Sequence, residues 1–150
     1  MSAIANIVAY GAEATPLPHT FKPISVSRMG EEVLAEYRED ITDVPPALQP
    51  YVKLRSRKLP SGVEQTRITV AIPVQEVITN QNAAGYTAAP KVAHTLSGEV
   101  TFHFSPRAII SQRRQLRQIM YNMLGGYVIT ATVQSTGNVP EIVDQAINPT

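Results

Sequence analysis

Three cations stand at alternate positions in one short stretch, Lys53, Arg55 and Arg57, and a fourth, Arg67, follows after a turn. Their chemistry is that of an anion-binding surface. Guanidinium and ammonium groups aimed the same way can neutralise a row of phosphates, and arginine does so through paired N–H donors. The other reactive side chains are scattered. His19, His94 and His103 have no HExxH or other metal-ligand spacing, so each reads as an ordinary strand or surface histidine. Glu31-Glu32 and Glu39-Asp40 are adjacent carboxylates with nothing around them to raise a pKa, and a solvated acidic patch is the plain reading. The chain has no cysteine, which removes disulfides, thiolate nucleophiles and Cys-based zinc sites. GxSxG, Walker A and GxGxxG patterns are absent. No catalytic residue, metal site, cofactor or small-molecule substrate is implied, and an enzyme is the weakest reading.

The elements that must position the cations are two strands of a hairpin. Leu59-Pro60-Ser61-Gly62-Val63 is a turn signal, because proline presets φ and glycine accepts φ > 0. Before it, Val52 and Leu54 oppose Lys53, Arg55 and Arg57. After it, Ile68, Val70 and Ile72 oppose Gln65, Arg67, Thr69 and Ala71. Side chains alternate across a strand, so the hairpin has one apolar and one basic face. A run such as KLRSRK is ordinarily a solvated strand face. Here the facing arm adds Arg67 rather than a neutralising carboxylate, and like charges opposed across a sheet are unfavourable without an anion. Thr95, Ser97, Thr101 and His103 on a later strand supply small polar groups suited to phosphate, sugar or base edges. Aromatic stacking, usual on sheets that bind single-stranded RNA, is represented only by Tyr51 at the margin.

At 150 residues the chain reads as one domain, long enough to bury about 68–70% of its unfolded surface. The net charge is only +1, so polyanion binding must come from clustering. No apolar run approaches the ~18 residues of a membrane span. The N-terminus lacks the basic start and apolar core of a signal peptide, so the expected setting is cytoplasm or wherever a cytoplasmic product ends up.

In order, Asn6–Tyr10 and His19–Ser27 form an N-terminal hairpin, with Pro23 at an edge position or bulge. Gly30–Asp40 supports helix by propensity and strand by partial alternation, and the residues alone leave it open. Pro73 closes the second hairpin strand, and residues 75–90 read as a long exposed loop. Val92–Phe104 is the clearest alternating strand. Ser105-Pro106 then reads as a helix start, and Gly125-Gly126 as its end. Between them Ile109, Leu116, Ile119, Met120 and Met123 contribute to an apolar stripe. With Ile110, Tyr121 and Leu124 the apolar residues reach nearly two helix faces. One sheet covers only one of them, so a second copy is inferred through the helix and sheet surfaces. Tyr127–Val133 is apolar and β-prone, and Pro140–Ile147 is a short helix. Strands followed by helices make an α+β fold.

The segments ALQPYVKLRSRKLPSGVEQTRITVAIP, GEVTFHFSPRAIISQRRQLRQIMYNML and VPEIVDQAINP occur in that order. Together they resemble the coat proteins of the leviviruses, small single-stranded RNA bacteriophages, and the allolevivirus type most. The resemblance covers Asn6 to about Pro149. It implies an N-terminal hairpin (4–28), a five-stranded antiparallel sheet (31–104, with the loop at 75–90) and C-terminal helices (106–147), which makes Glu31–Arg38 a strand. It further implies an intertwined homodimer with a continuous ten-stranded sheet, assembled in the bacterial cytoplasm into an icosahedral T=3 capsid, the virion shell. By position the RNA face comprises Lys53, Arg55, Arg57, Gln65, Arg67, Thr69, Thr95 and Ser97. That face would package genomic RNA and bind an RNA hairpin to repress replicase translation, while the long loop would gather at the vertices. This chain departs from the pattern in three places. The adenine-stacking tyrosine falls near Thr95, the loop has no cross-linking cysteines, and Tyr127–Ser135 exceeds the usual inter-helix link. A free dimeric RNA-binding translational regulator that never forms shells is the alternative.

Overall fold

A computed structural model describes residues 4–11, 15–76, 89–126 and 136–148. Six strands follow one another: β1 (Ile7–Tyr10), β2 (Pro18–Met29), β3 (Glu32–Glu39), β4 (Tyr51–Lys58), β5 (Glu64–Gln75) and β6 (Val92–Phe104). Helices α1 (Ile110–Gly125) and α2 (Asn138–Asp144) come after them. The strands pair antiparallel in chain order, in one six-stranded sheet. The expected α+β class holds, but the expected separation of hairpin and five-stranded sheet does not. β2 is 12 residues long and pairs with β1 through one end and β3 along most of its length. It is therefore an arm of the hairpin and a strand of the sheet at once.

The open segment becomes β3, a strand between β2 and β4. Its Val33, Ala35 and Tyr37 are buried. Packing of that alternating face overrides a helical propensity worth a few tenths of a kcal/mol per residue. On β2, Phe21 and Val26 both pack on the core, although they are five positions apart and strict alternation would turn them to opposite sides. The register shift between Pro23 and Ser25 reconciles the two. One extra residue, Ile24, is inserted, and the inward face resets behind it. The bulge expected at Pro23 is thus required by the core.

Several boundaries differ from the sequence reading. β5 runs through Pro73 to Gln75. Pairing with β4 ends at Tyr51 opposite Ala71, while pairing with β6 continues. Beyond Ala71 one side of β5 needs no donor, so a proline is tolerated. The long helix begins at Ile110 rather than Ser105-Pro106. Ser105–Ala108 instead form a turn, with Ala108 N–H donating to Ser105 C=O at 2.9 Å and Arg107 N–H to Ser105 Oγ at 3.3 Å. Ser-Pro serves a type I turn as well as a helix start. Gln112 Oε1 then accepts from Ile109 N–H at 3.2 Å, capping the true start. α1 ends as expected, at Gly126 with φ 66°. α2 starts two residues before Pro140 and stops at Asp144, three short of Ile147. The tip of the 75–90 loop and Tyr127–Val133 lie outside the described residues; the loop's base is closed by Glu76 N–H to Lys91 C=O at 2.9 Å.

One sheet face carries the core: Phe21, Ala35, Tyr37, Val52, Leu54, Phe102 and Phe104, capped by Ile142 and Val143 of α2. Polar clamps hold the helices over it. Asp144, fully buried, accepts from Arg117 Nε (2.9 Å) and Nη2 (2.7 Å) and from Arg114 Nε (3.2 Å). Arg113 Nη1 donates to Glu64 Oε2 at 2.6 Å, and its guanidinium lies 4.9 Å from the Phe104 ring centre. Asn138 Nδ2 donates to Ala5 C=O at 2.5 Å, tying α2 to the segment before β1.

Candidate nucleic-acid interface

Register decides what the polar face of the sheet can do. Arg55 stands opposite Arg67, Lys53 opposite Thr69, and Arg57 opposite Gln65. On β6, Ser97 stands opposite Ala71 and Thr95 opposite Pro73. All eight residues singled out from the sequence therefore share the face away from the core. Lys53, Arg55, Arg67 and Thr69 converge further: with Glu32, Leu34 and Glu99 they line one depression of about 360 Å³. Arg57 sits beside it, its Nε donating to Gln65 Oε1 at 2.6 Å, and Gln65 Nε2 is 2.7 Å from His103 Nε2. Thr95 and Ser97 lie further along β6, exposed.

The cations are not bare. Lys53 Nζ is 2.8 Å from Glu36, Arg55 Nη2 is 2.7 Å from Glu32, and Arg67 Nε is 3.3 Å from Glu99. Glu99 also accepts from Thr101 at 3.3 Å and Thr69 at 3.5 Å. This corrects two sequence expectations. Arg67 does have a neutralising carboxylate, supplied by the next strand rather than the facing arm. The acidic pairs are not one solvated patch either. Glu32 serves Arg55, Glu39 lies 2.9 Å from His19 Nδ1, and Asp40 lies 2.8 Å from Lys22. The Arg55 hydrogen bond holds Glu32 below the usual carboxylate range, and Glu32 in turn raises Arg55. Hydrogen bonding to Lys22 lowers Asp40 likewise.

Sequence reasoning missed Glu32 and Glu36 on this face although their signal was present. Once β3 is a strand, Glu32, Leu34 and Glu36 share the polar face by alternation, and β3 pairs with β4. Across β3 to β6 this face then carries five cations (Arg38, Lys53, Arg55, Arg57, Arg67) against three carboxylates (Glu32, Glu36, Glu99). Arg38 and Arg57 pair with no carboxylate among the described residues. The excess positive charge is thus modest and sits at either end, with neutralised pairs between. Among the described residues no three His, Cys, Asp or Glu side chains come together as metal ligands.

On the opposite face α1 is turned inside out. Arg113 is 8% exposed, whereas Met123 and Leu124 on the same helix are each 72% exposed. Of the five stripe residues, Ile109, Leu116, Ile119 and Met123 point to solvent or are half-exposed, and only Met120 packs against the subunit's own core. Val70, Ile72 and Leu96, on the apolar face of the sheet, are exposed too. None of the described helices is long and apolar enough to cross a membrane.

A search among curated proteins finds no match. Among solved structures the chain is similar to the virus-like particle of bacteriophage ESE058, at 20% identity and TM-score 0.69, with 96% of each chain covered. It is similar to the virus-like particle of bacteriophage EMS014 at 24% identity and TM-score 0.68, with 99% of each chain covered. The virus-like particle of Beihai levi-like virus 21 matches at 19% identity and TM-score 0.64, over 96% of this chain and 95% of that one. These likenesses are of fold. The model of the levivirus coat protein family matches residues 2–140, nearly the whole sequence, and the chain belongs to that family.

Proposed function

We propose that this protein is the shell-forming subunit of a single-stranded RNA phage capsid. Two copies associate into the assembling unit, and the polar sheet face receives the genome. The observation that carries the reading is the inversion of α1. A helix that buries arginines and exposes isoleucine, leucine and methionine is built to be covered by another surface. A second copy supplies that surface symmetrically, as an isologous interface requires. The open edge of β6 supports the same geometry. It is 13 residues long, with only Glu99, His94 and His103 as ionisable residues. A long edge so thinly protected pairs readily with another strand. Pairing of β6 with its copy joins strands β2 to β6 of each subunit into ten. It also brings Val70, Ile72 and Leu96 under the partner's α1. Gly98, facing the same way with open space where a side chain would stand, leaves room for close approach.

On the polar face, RNA phosphates displace Glu32, Glu36 and Glu99 from Arg55, Lys53 and Arg67. Arginine exchanges one oxyanion for another with little change of geometry. If a dimer neutralises ~6–8 phosphates, log affinity should fall against log salt with a slope of roughly −0.7 per contact on a single strand. An RNA hairpin at the replicase start would use the same face, repressing translation before assembly in the host cytoplasm.

Electron microscopy and size-exclusion chromatography of the purified protein test the reading. Closed shells are expected, with dimers as the smallest stable species; a stable monomer rejects it. Replacement of Arg55 and Arg67 by alanine separates a shell protein from a free dimeric regulator. The shell still forms with less RNA inside, whereas a regulator loses its function outright.

A further inference from the structure

The β2 bulge leaves Ile24 about half exposed (52%), although it is isoleucine. It borders a second depression, of about 240 Å³, lined by Glu36, Tyr37, Arg38, Tyr51 and Lys53. Here the face has what the 360 Å³ depression lacks, an aromatic ring beside an aliphatic side chain. Tyr51 lies opposite Arg38 in the register of β3 and β4, and Lys53 Nζ is 5.4 Å from its ring centre. Lys53 is occupied by Glu36, but Arg38 has no ion-pair or side-chain hydrogen-bond partner among the described residues. The volume is below the ~300 Å³ at which drug-sized ligand sites begin, a scale for one planar group rather than a folded ligand.

We infer that this depression is a stacking subsite for one unpaired nucleobase of single-stranded RNA, with Tyr51 and Ile24 contacting the base and Arg38 its phosphate. The inference rests on the reading of the polar face as the RNA side. Base–aromatic contact is tolerant of sequence because every base has a π-face, and an unpaired guanidinium beside the ring supplies the charge complement. The bulge that keeps Phe21 and Val26 in the core is thereby also what presents Ile24 to the nucleic acid.

The full-length protein is irradiated with a single-stranded RNA oligomer carrying 5-iodouridine, and the adducts are mapped by peptide mass spectrometry. An adduct on Tyr51 is expected. Tyr51→Leu and Ile24→Thr should each weaken binding of the same oligomer, the first by roughly five- to a hundredfold. The salt slope should stay unchanged, since neither removes a phosphate contact. Tyr51→Phe should bind like the parent. Should Tyr51→Leu not fold, Ile24→Thr, outside the core, carries the test. Adducts only at other tyrosines, or parent-like binding by the Ile24 and Tyr51 variants while Arg55→Ala/Arg67→Ala binds weakly, overturn the subsite and leave the RNA face standing. If the arginine variant also binds like the parent, the RNA face itself is wrong.

Discussion

Leu54 and Leu96 stand on the same face of the same sheet, in strands with the same alternation, yet one is fully buried and the other 57% exposed. The difference lies in what the subunit's own helices reach. α2 seats Ile142 and Val143 in one cluster with Ala35, Tyr37, Val52 and Leu54, while α1 is clamped by Arg113 at Glu64 and Phe104, at the far end of β6. Nothing described covers the other end of β5 and β6. One half of the sheet is a finished core, and the other is an apolar surface that the subunit leaves exposed. Burial of a side chain within the subunit therefore separates the two halves: residues like Leu54 serve its own core, and residues like Leu96 are, on the proposed reading, kept for a second copy.

The largest expected effect lies at the clamp. Asp144→Ala removes the buried carboxylate that Arg114 and Arg117 share, and removal of one partner of a buried ion pair costs up to about 3–5 kcal/mol. Urea denaturation should register that loss, and a change below 1 kcal/mol would mean the clamp does not hold the helices. Leu54→Ala should cost about 2–5 kcal/mol in subunit stability. Ile119→Glu and Leu96→Glu should instead leave the circular dichroism of the folded subunit intact while abolishing dimers and shells in size-exclusion runs. Should Ile119→Glu still assemble, the exposed half is not an interface.

A smaller effect concerns Tyr37, whose hydroxyl is buried with no hydrogen-bond partner among the described residues. An unsatisfied buried hydroxyl costs about 1–3 kcal/mol, so Tyr37→Phe should be at least as stable as the parent. Burial pushes the Tyr37 phenol up to about 12. Its contribution is complete below the unfolded pKa near 10 and lost as pH climbs towards 12. Alkaline denaturation should begin later in Tyr37→Phe.

The smallest effect belongs to the polar face. Glu32 titrates below its usual range because of Arg55. What the pair contributes is present above the unfolded pKa and lost as pH falls through the lower folded value. Glu32→Gln should flatten that part of the acid profile by little, because the pair is exposed. In RNA binding the same substitution should matter more. Freeing Arg55 from a competing carboxylate should tighten binding of a single-stranded oligomer at neutral pH, and weaker binding would argue against displacement by phosphate.

The strands were legible from residues alone wherever alternation was clean, as in β4, β5 and β6, and so was the shared face of Lys53, Arg55 and Arg67. Pattern of period two fixes which side of its own strand a residue takes, a local property of the pleat. Local chemistry misled where one motif serves two structures, as Ser105-Pro106 made a turn; at Gly30–Asp40 it left helix and strand open, and packing chose the strand that the resemblance implied. Partner identity was not legible at all. Whether Glu99 reaches Arg67, whether Glu32 reaches Arg55, and which side of α1 turns inward depend on register and on clamps between residues as far apart as Glu64 and Arg113, or Arg117 and Asp144. Residue pattern alone implied a sheet with one apolar and one charged surface and a helix with more oil than one sheet could cover. That the helix turns its arginines inward is a tertiary outcome, because Asp144, Glu64 and Phe104 satisfy their charge within the chain while the apolar side is left exposed.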